Sequence, residues 1–216
     1  TVEVAGAVGW DDAHDVIYAG ALDIAVGPRW YSGYEMACNA VLHFIDQEKI
    51  SAIPYRGTTA KERQMLANKA PLDAAETASF IEALIRQPEP AYMERLSDLL
   101  LAGKSPRRIL DVIQLAAARI ILETRIDTNF SIPQHCYEYC NTLGWFYDNF
   151  DHPQRLKLLY VAASFLNRNA WNQQYTKDSH PLEERAPEGA GRMSAGQLLE
   201  RVEAAILALN GPESVV

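Results

Sequence analysis

The stretch SPRRILDVIQLAAARIILE, residues 105–123, decides the fold. Ser105 is a helix N-cap residue type and Pro106 fits the first helical position, where a missing N–H costs nothing. Just upstream, Gly103 suits the left-handed position that closes a preceding helix. Between these signals, Ile109, Leu110, Val112, Ile113, Leu115, Ile120 and Ile121 leave only a narrow polar stripe. A helix so apolar must be touched on several sides, so this one is expected at the centre of a bundle.

Helical signals continue in both directions from it, while the alternating Val/Ile/Thr runs of strands are almost absent. Upstream, helices are predicted over residues 12–26, ended by Gly27-Pro28, over 30–47, and over a short stretch near 60–68. Asp73 with Glu76 three residues on is a capping-box pattern opening a helix over 73–87, which Pro88 ends. Another runs from Pro90 to Ala102. Downstream, helices are predicted over 133–149 and 153–169, then a long polar segment over 171–193, then a final amphipathic helix over 194–209. The reading is an all-α bundle in one domain.

A single offset of 121 residues aligns the first part of the chain with the last without a gap. His14, Tyr18 and Leu22 fall on His135, Tyr139 and Leu143, so H-x3-Y-x3-L occurs twice. Phe44 falls on Phe165, Ile45 on Leu166, and the N-cap Asp73 on the N-cap Ser194. Glu82, Ala83 and Ile85 fall on Glu203, Ala204 and Ile206. One register through three helices predicts an internal pseudo-twofold duplication, with halves over about 12–104 and 105–209. The counterpart of the central helix in the first half would lie upstream of Thr1, so the chain is expected to be a fragment of a longer polypeptide.

Of 216 residues, 48% are hydrophobic, enough for a substantial core. Twenty basic against 28 acidic residues give a net charge of −8, which disfavours nucleic acid and anionic membranes as partners. No apolar run reaches the length of a membrane span; residues 109–122 are interrupted by Asp111, Gln114 and Arg119. Three cysteines, with Cys136 and Cys140 one helical turn apart, read as buried reduced thiols and point to the cytoplasm.

The residues that carry candidate chemistry are few. His14 with Tyr18 and His135 with Tyr139 each share a helix face, and twofold repetition would bring the two pairs towards a common axis. His43, in an apolar stretch, would add a third imidazole, and three neutral nitrogens suit iron or another divalent transition metal. Asp15, Asp46 and Glu138 are the carboxylates near enough in sequence to complete a site. The competing reading makes each histidine a hydrogen-bonded helix residue. His152 and His180 read as solvated. Trp30, Tyr31, Tyr34, Trp145, Phe146 and Tyr147 read either as plain core or as the lining of a pocket for a flat aromatic molecule. No G-x-G-x-x-G, Walker loop, G-x-S-x-G elbow or H-E-x-x-H occurs.

With its H-x3-Y helices and the central SPRRILDVIQLAAAR segment, the chain resembles the helical region of questin-oxidase-like proteins and of related proteins in which such a region accompanies a Rieske domain. The likeness spans residues 13–171. It implies an all-α fold and, for the questin-oxidase-like branch, oxygenation of aromatic substrates at a His-ligated nonheme iron. His14, His135 and then His43 would be the ligands; in the reading built on them, Tyr18 and Tyr139 supply hydroxyls that either face the substrate or hydrogen-bond behind the ligands. The sequence departs from the pattern at Ser164, where a further histidine would stand. The C-x-H and C-x2-H loops of a Rieske cluster are absent, so such a cluster would belong elsewhere, for instance to a redox partner protein. The resemblance thus implies a nonheme iron oxygenase acting on a small organic substrate. The alternative is a noncatalytic helical scaffold or interaction domain, in which the His/Tyr pairs serve the core.

Overall fold

The computed structural model describes residues 1–26, 33–46, 59–124, 131–171 and 192–208. Among them the secondary structure is helical, and the only extended pairing is a single bridge between Ala70 and Lys104. The helices are α1 (Val2–Val8), α2 (His14–Val26), α3 (Gly33–Ala40), α4 (Ala60–Leu66), α5 (Ala74–Arg86), α6 (Ala91–Leu101), α7 (Pro106–Glu123), α8 (Ser131–Asn149), α9 (Lys157–Ala170) and α10 (Ala195–Leu207).

Local chemistry explains most of their limits. Thr59 with Glu62, Asp73 with Glu76 and Ser194 with Gln197 each form a reciprocal capping box at the starts of α4, α5 and α10. Gly103, at φ 83°, turns the chain between α6 and α7, a backbone conformation with a steric cost for any residue carrying a Cβ. Pro133 sits within the first turn of α8, where its absent N–H has no partner to lose. Lys104 Nζ lies 2.6 Å from Glu76 Oε2. That ammonium, with the Asp73 backbone N–H, holds the Glu76 carboxyl below its ordinary 4.5. A depressed folded pKa means that this contribution is complete above pH 4.5 and is lost as the pH falls through the folded value. Lys104→Met is therefore expected to flatten the acid limb of a stability–pH curve measured by urea denaturation.

Two expectations are corrected. The predicted helix over 30–47 is regular only through Ala40; residues Val41–Asp46 continue as one wide π-helical turn. Lys61 Nζ donates to the Ile45 carbonyl at its end, and the Thr59 hydroxyl donates to Asp46. The second concerns the centre of the bundle. Helix α7 does pack on α5, α8 and α9, but Leu115 and Leu122, seven residues apart on one stripe, are 55% and 41% exposed. Its buried face is Ile109, Leu110, Ile113, Ala116, Ala117 and Ile120. The innermost helix is α9, which packs on α3, α5, α6, α7 and α8. Leu159, Tyr160, Ala162, Ala163, Ser164, Leu166, Asn167 and Ala170 are all buried along it, and its small residues let five neighbours approach closely.

Burying so much of α9 requires each of its buried polar groups to find a partner. Asn167 Nδ2 donates to the carbonyls of Leu84 and Gln87, both at 2.8 Å, and so closes the C-terminal turn of α5. Ser97 Oγ donates to the Met93 carbonyl at 2.8 Å and accepts the Tyr160 hydroxyl at 2.7 Å. Burial pushes the Tyr160 hydroxyl far above its usual range, so it remains a donor. Lys157 Nζ meets Glu62 Oε1 at 2.9 Å with both side chains buried, joining α9 to α4. No helix among the described residues is long and apolar enough to cross a membrane.

Candidate functional site

The candidate metal ligands face water. His14, the first residue of α2, is 88% exposed, and its Nδ1 lies 3.2 Å from Asp15. His135 on α8 is 67% exposed, with Nδ1 3.3 Å from Glu138 Oε2. That imidazole, after the Gln134 amide, holds the Glu138 carboxyl below its ordinary 4.5. His43, in the π-helical turn, is exposed and stands edge-on to Phe44, with ring centroids 4.6 Å apart. The three histidines sit on three different elements. Among the described residues no three His, Cys, Asp or Glu side chains are grouped as a metal would need. The residues present do not form the ligand set that the resemblance implies, so no reaction step is derived through iron.

The two tyrosines separate. Tyr18 is 65% exposed on α2. Tyr139 is half-buried against Phe165, ring centroids 4.3 Å apart, and burial, with the neighbouring Cys140 adding to it, raises its hydroxyl above the ordinary 10. Cys38, Cys136 and Cys140 are buried and in no disulfide. Hydrogen bonding to Cys140, followed by burial, pushes the Cys136 thiol far up, leaving it protonated and unreactive. Asp46 is engaged by Thr59. Trp30, Tyr31 and His180 lie outside the described residues.

The structure instead presents an open groove of about 450 Å³ between α8 and α9, reaching Gly33 at the start of α3. This lies within the ~300–1,000 Å³ range of small-molecule sites. Helix geometry makes it. On α8 the residues Cys136, Cys140, Leu143 and Tyr147 form the arc buried in the core. Tyr139, Phe146 and the following Phe150 form a second stripe beside that arc, 38–41% exposed, because the apolar face is wider than its neighbours cover. Phe146 and Phe150 stack at 5.4 Å, and Trp145 meets both rings edge-on. Leu158 and Val161 of the α9 segment form the facing wall.

The polar end of the groove comes from the turn between α8 and α9. His152, Arg155 and Lys157 line it, and no Asp or Glu does. His152 Nδ1 accepts the Gln154 N–H, which leaves the ring proton on Nε2 as a donor. Arg155 lies over the Tyr147 ring, 4.9 Å from its centroid, and pairs with the exposed Asp151 at 3.1 Å. Its Nε is buried without an acceptor. Sequence reasoning picked out Tyr139 and Phe146 but missed Leu143, Phe150, Val161 and Arg155. The available signal was the 4-3-4 spacing of residues 139, 143, 146 and 150, which keeps them on one side of a helix.

Comparison with protein-family models, with curated proteins and with solved structures finds no match.

Proposed function

We propose that this chain is a helical binding domain whose working surface is the α8–α9 groove, and that it takes a flat, apolar small molecule. One observation carries the reading: Tyr139, Phe146 and Phe150 line a concavity of ligand size, half-exposed where the same helix buries its other apolar arc. Aromatic side chains left partly wet beside a concave wall contribute more when covered than they do in the free protein. The test is a titration with 2-naphthol, a flat probe without charge. Saturable one-to-one binding is expected, weakened about tenfold in Phe146→Ala, the loss of roughly 1.4 kcal/mol of ring contact. Absence of saturable binding, or binding that Phe146→Ala and Leu143→Ala both leave intact, contradicts the reading.

Duplication is part of the same proposal. Under the 121-residue offset α5 (Ala74–Arg86) coincides end for end with α10 (Ala195–Leu207), and the Asp73–Glu76 capping box coincides with that of Ser194–Gln197. Helices α3 and α9, related by the same offset, pack on each other, as elements beside a twofold axis would. A reducing compartment is also proposed, supported by three buried cysteines outside any disulfide. Iron-dependent oxygenation rests on the family resemblance alone and would require His14, His43 and His135 to converge; elemental analysis of chelator-free protein tests it separately.

A further inference from the structure

We infer that the groove recognises an anion, so that its occupant is a flat aromatic monocarboxylate held by Arg155; this rests on the groove being a binding site. The first argument is charge. In a chain of net charge −8, three basic side chains and no acidic one line this concavity. Chance placement on an acidic surface would favour the opposite sign, and a local reversal of sign is the electrostatic mark of a site that attracts a negative group.

Hydrogen bonding gives the second argument. Of the two permanent cations, Lys157 is committed to Glu62 inside the fold. Arg155 is held differently. Its guanidinium is fixed over Tyr147, its Nε is buried with no acceptor, and its ion pair is with Asp151, whose side chain is 93% exposed. An ion pair whose carboxylate stands this far into solvent contributes little. A ligand carboxylate in the groove would meet the terminal N–H groups of the guanidinium and displace a weak competitor. The guanidinium offers the planar fork that carboxylates match, and His152 Nε2 adds a neutral donor at the same end of the groove. The aromatic stripe sets the rest of the ligand: a planar ring system lying along Tyr139, Phe146 and Phe150 with its acid group directed towards the α8–α9 turn.

The experiment compares 2-naphthoate with 2-naphthol, probes of equal ring size that differ in charge, by calorimetric titration at pH 7. The wild-type chain is expected to bind naphthoate about tenfold more tightly, the equivalent of one charge-assisted hydrogen bond. Arg155→Met is expected to bring the ratio of the two affinities to about one. Asp151→Asn, which removes the competing carboxylate from an exposed position and leaves the Tyr147 contact in place, is expected to raise naphthoate affinity about two- to threefold, and this variant carries the test if Arg155→Met does not fold. Equal binding of both probes to the wild type, or a preference for naphthoate that survives Arg155→Met, overturns anion recognition while leaving the groove as a site. Binding of neither probe overturns the groove itself, and this inference with it.

Discussion

Replacing Lys157 with methionine is expected to destabilise the chain by about 3–5 kcal/mol, because it strands the Glu62 carboxylate in the interior. The Glu62 side chain is 2% exposed and that of Lys157 6%, and their 2.9 Å contact ties the short helix α4 to α9. Glu62 also closes the Thr59 capping box, so its position is fixed from two directions and it has no path to water. The desolvation of two charges offsets most of what their attraction returns, so the pair adds little net stability while each partner depends on the other. The double variant Glu62→Gln/Lys157→Met is accordingly expected to recover much of the loss. Urea denaturation of the wild type, both singles and the double completes the cycle. A loss below about 1 kcal/mol in Lys157→Met would mean that Glu62 reaches solvent and that α4 is not seated as described.

The second large effect separates two helices that look alike in sequence. Phe80 in α5, a helix that packs on α6, α7 and α9, is wholly buried, and Phe80→Ala is expected to cost about 3–5 kcal/mol through lost burial and the remaining cavity. Leu199 in α10 is 70% exposed, and Leu199→Ala is expected to change stability by less than about 0.5 kcal/mol. Both helices have thirteen residues and open with a capping box. Their difference lies in burial: α5 buries Phe80, Ala83, Leu84 and Ile85, whereas α10 buries only Ala205. Thermal or urea unfolding of the two variants measures the contrast. Similar losses in both would show that α10 is packed as α5 is.

The helical class was legible because it depends on short-range chemistry: caps at Asp73 and Ser194, a proline at the start of α7, and a glycine after α6. The identity of the innermost helix was not. Helices α7 and α9 have similar apolar content and three alanines each, so composition does not rank them; closeness of approach is a property of pairs of helices. The widening at Val41–Asp46 depends on contacts from Thr59 and Lys61, more than a dozen residues away, and no local pattern announces it.

The described residues do not bring the three histidines into one group, for a reason that the sequence does contain. Consecutive helical residues lie about 100° apart, so His135 is rotated about 100° from Cys136, which heads the buried arc through Cys140, Leu143 and Tyr147. Tyr139, Phe146 and Phe150 fall between that arc and His135, at the margin where a groove forms. H-x3-Y spacing guarantees that the two side chains point in similar directions, but the position of the apolar arc decides whether that direction is inward. For His135 it is outward, and the tyrosine alone reaches the groove wall.

The most direct test of the α8–α9 groove as the working surface is a map of backbone amide shifts in a 15N-labelled chain titrated with 2-naphthoate. Perturbations are expected to concentrate at Tyr139, Leu143, Phe146, Arg155 and Val161, with His14 and His43 unmoved. Shifts centred on His14, His43 and His135, or spread without focus over the whole chain, would contradict it.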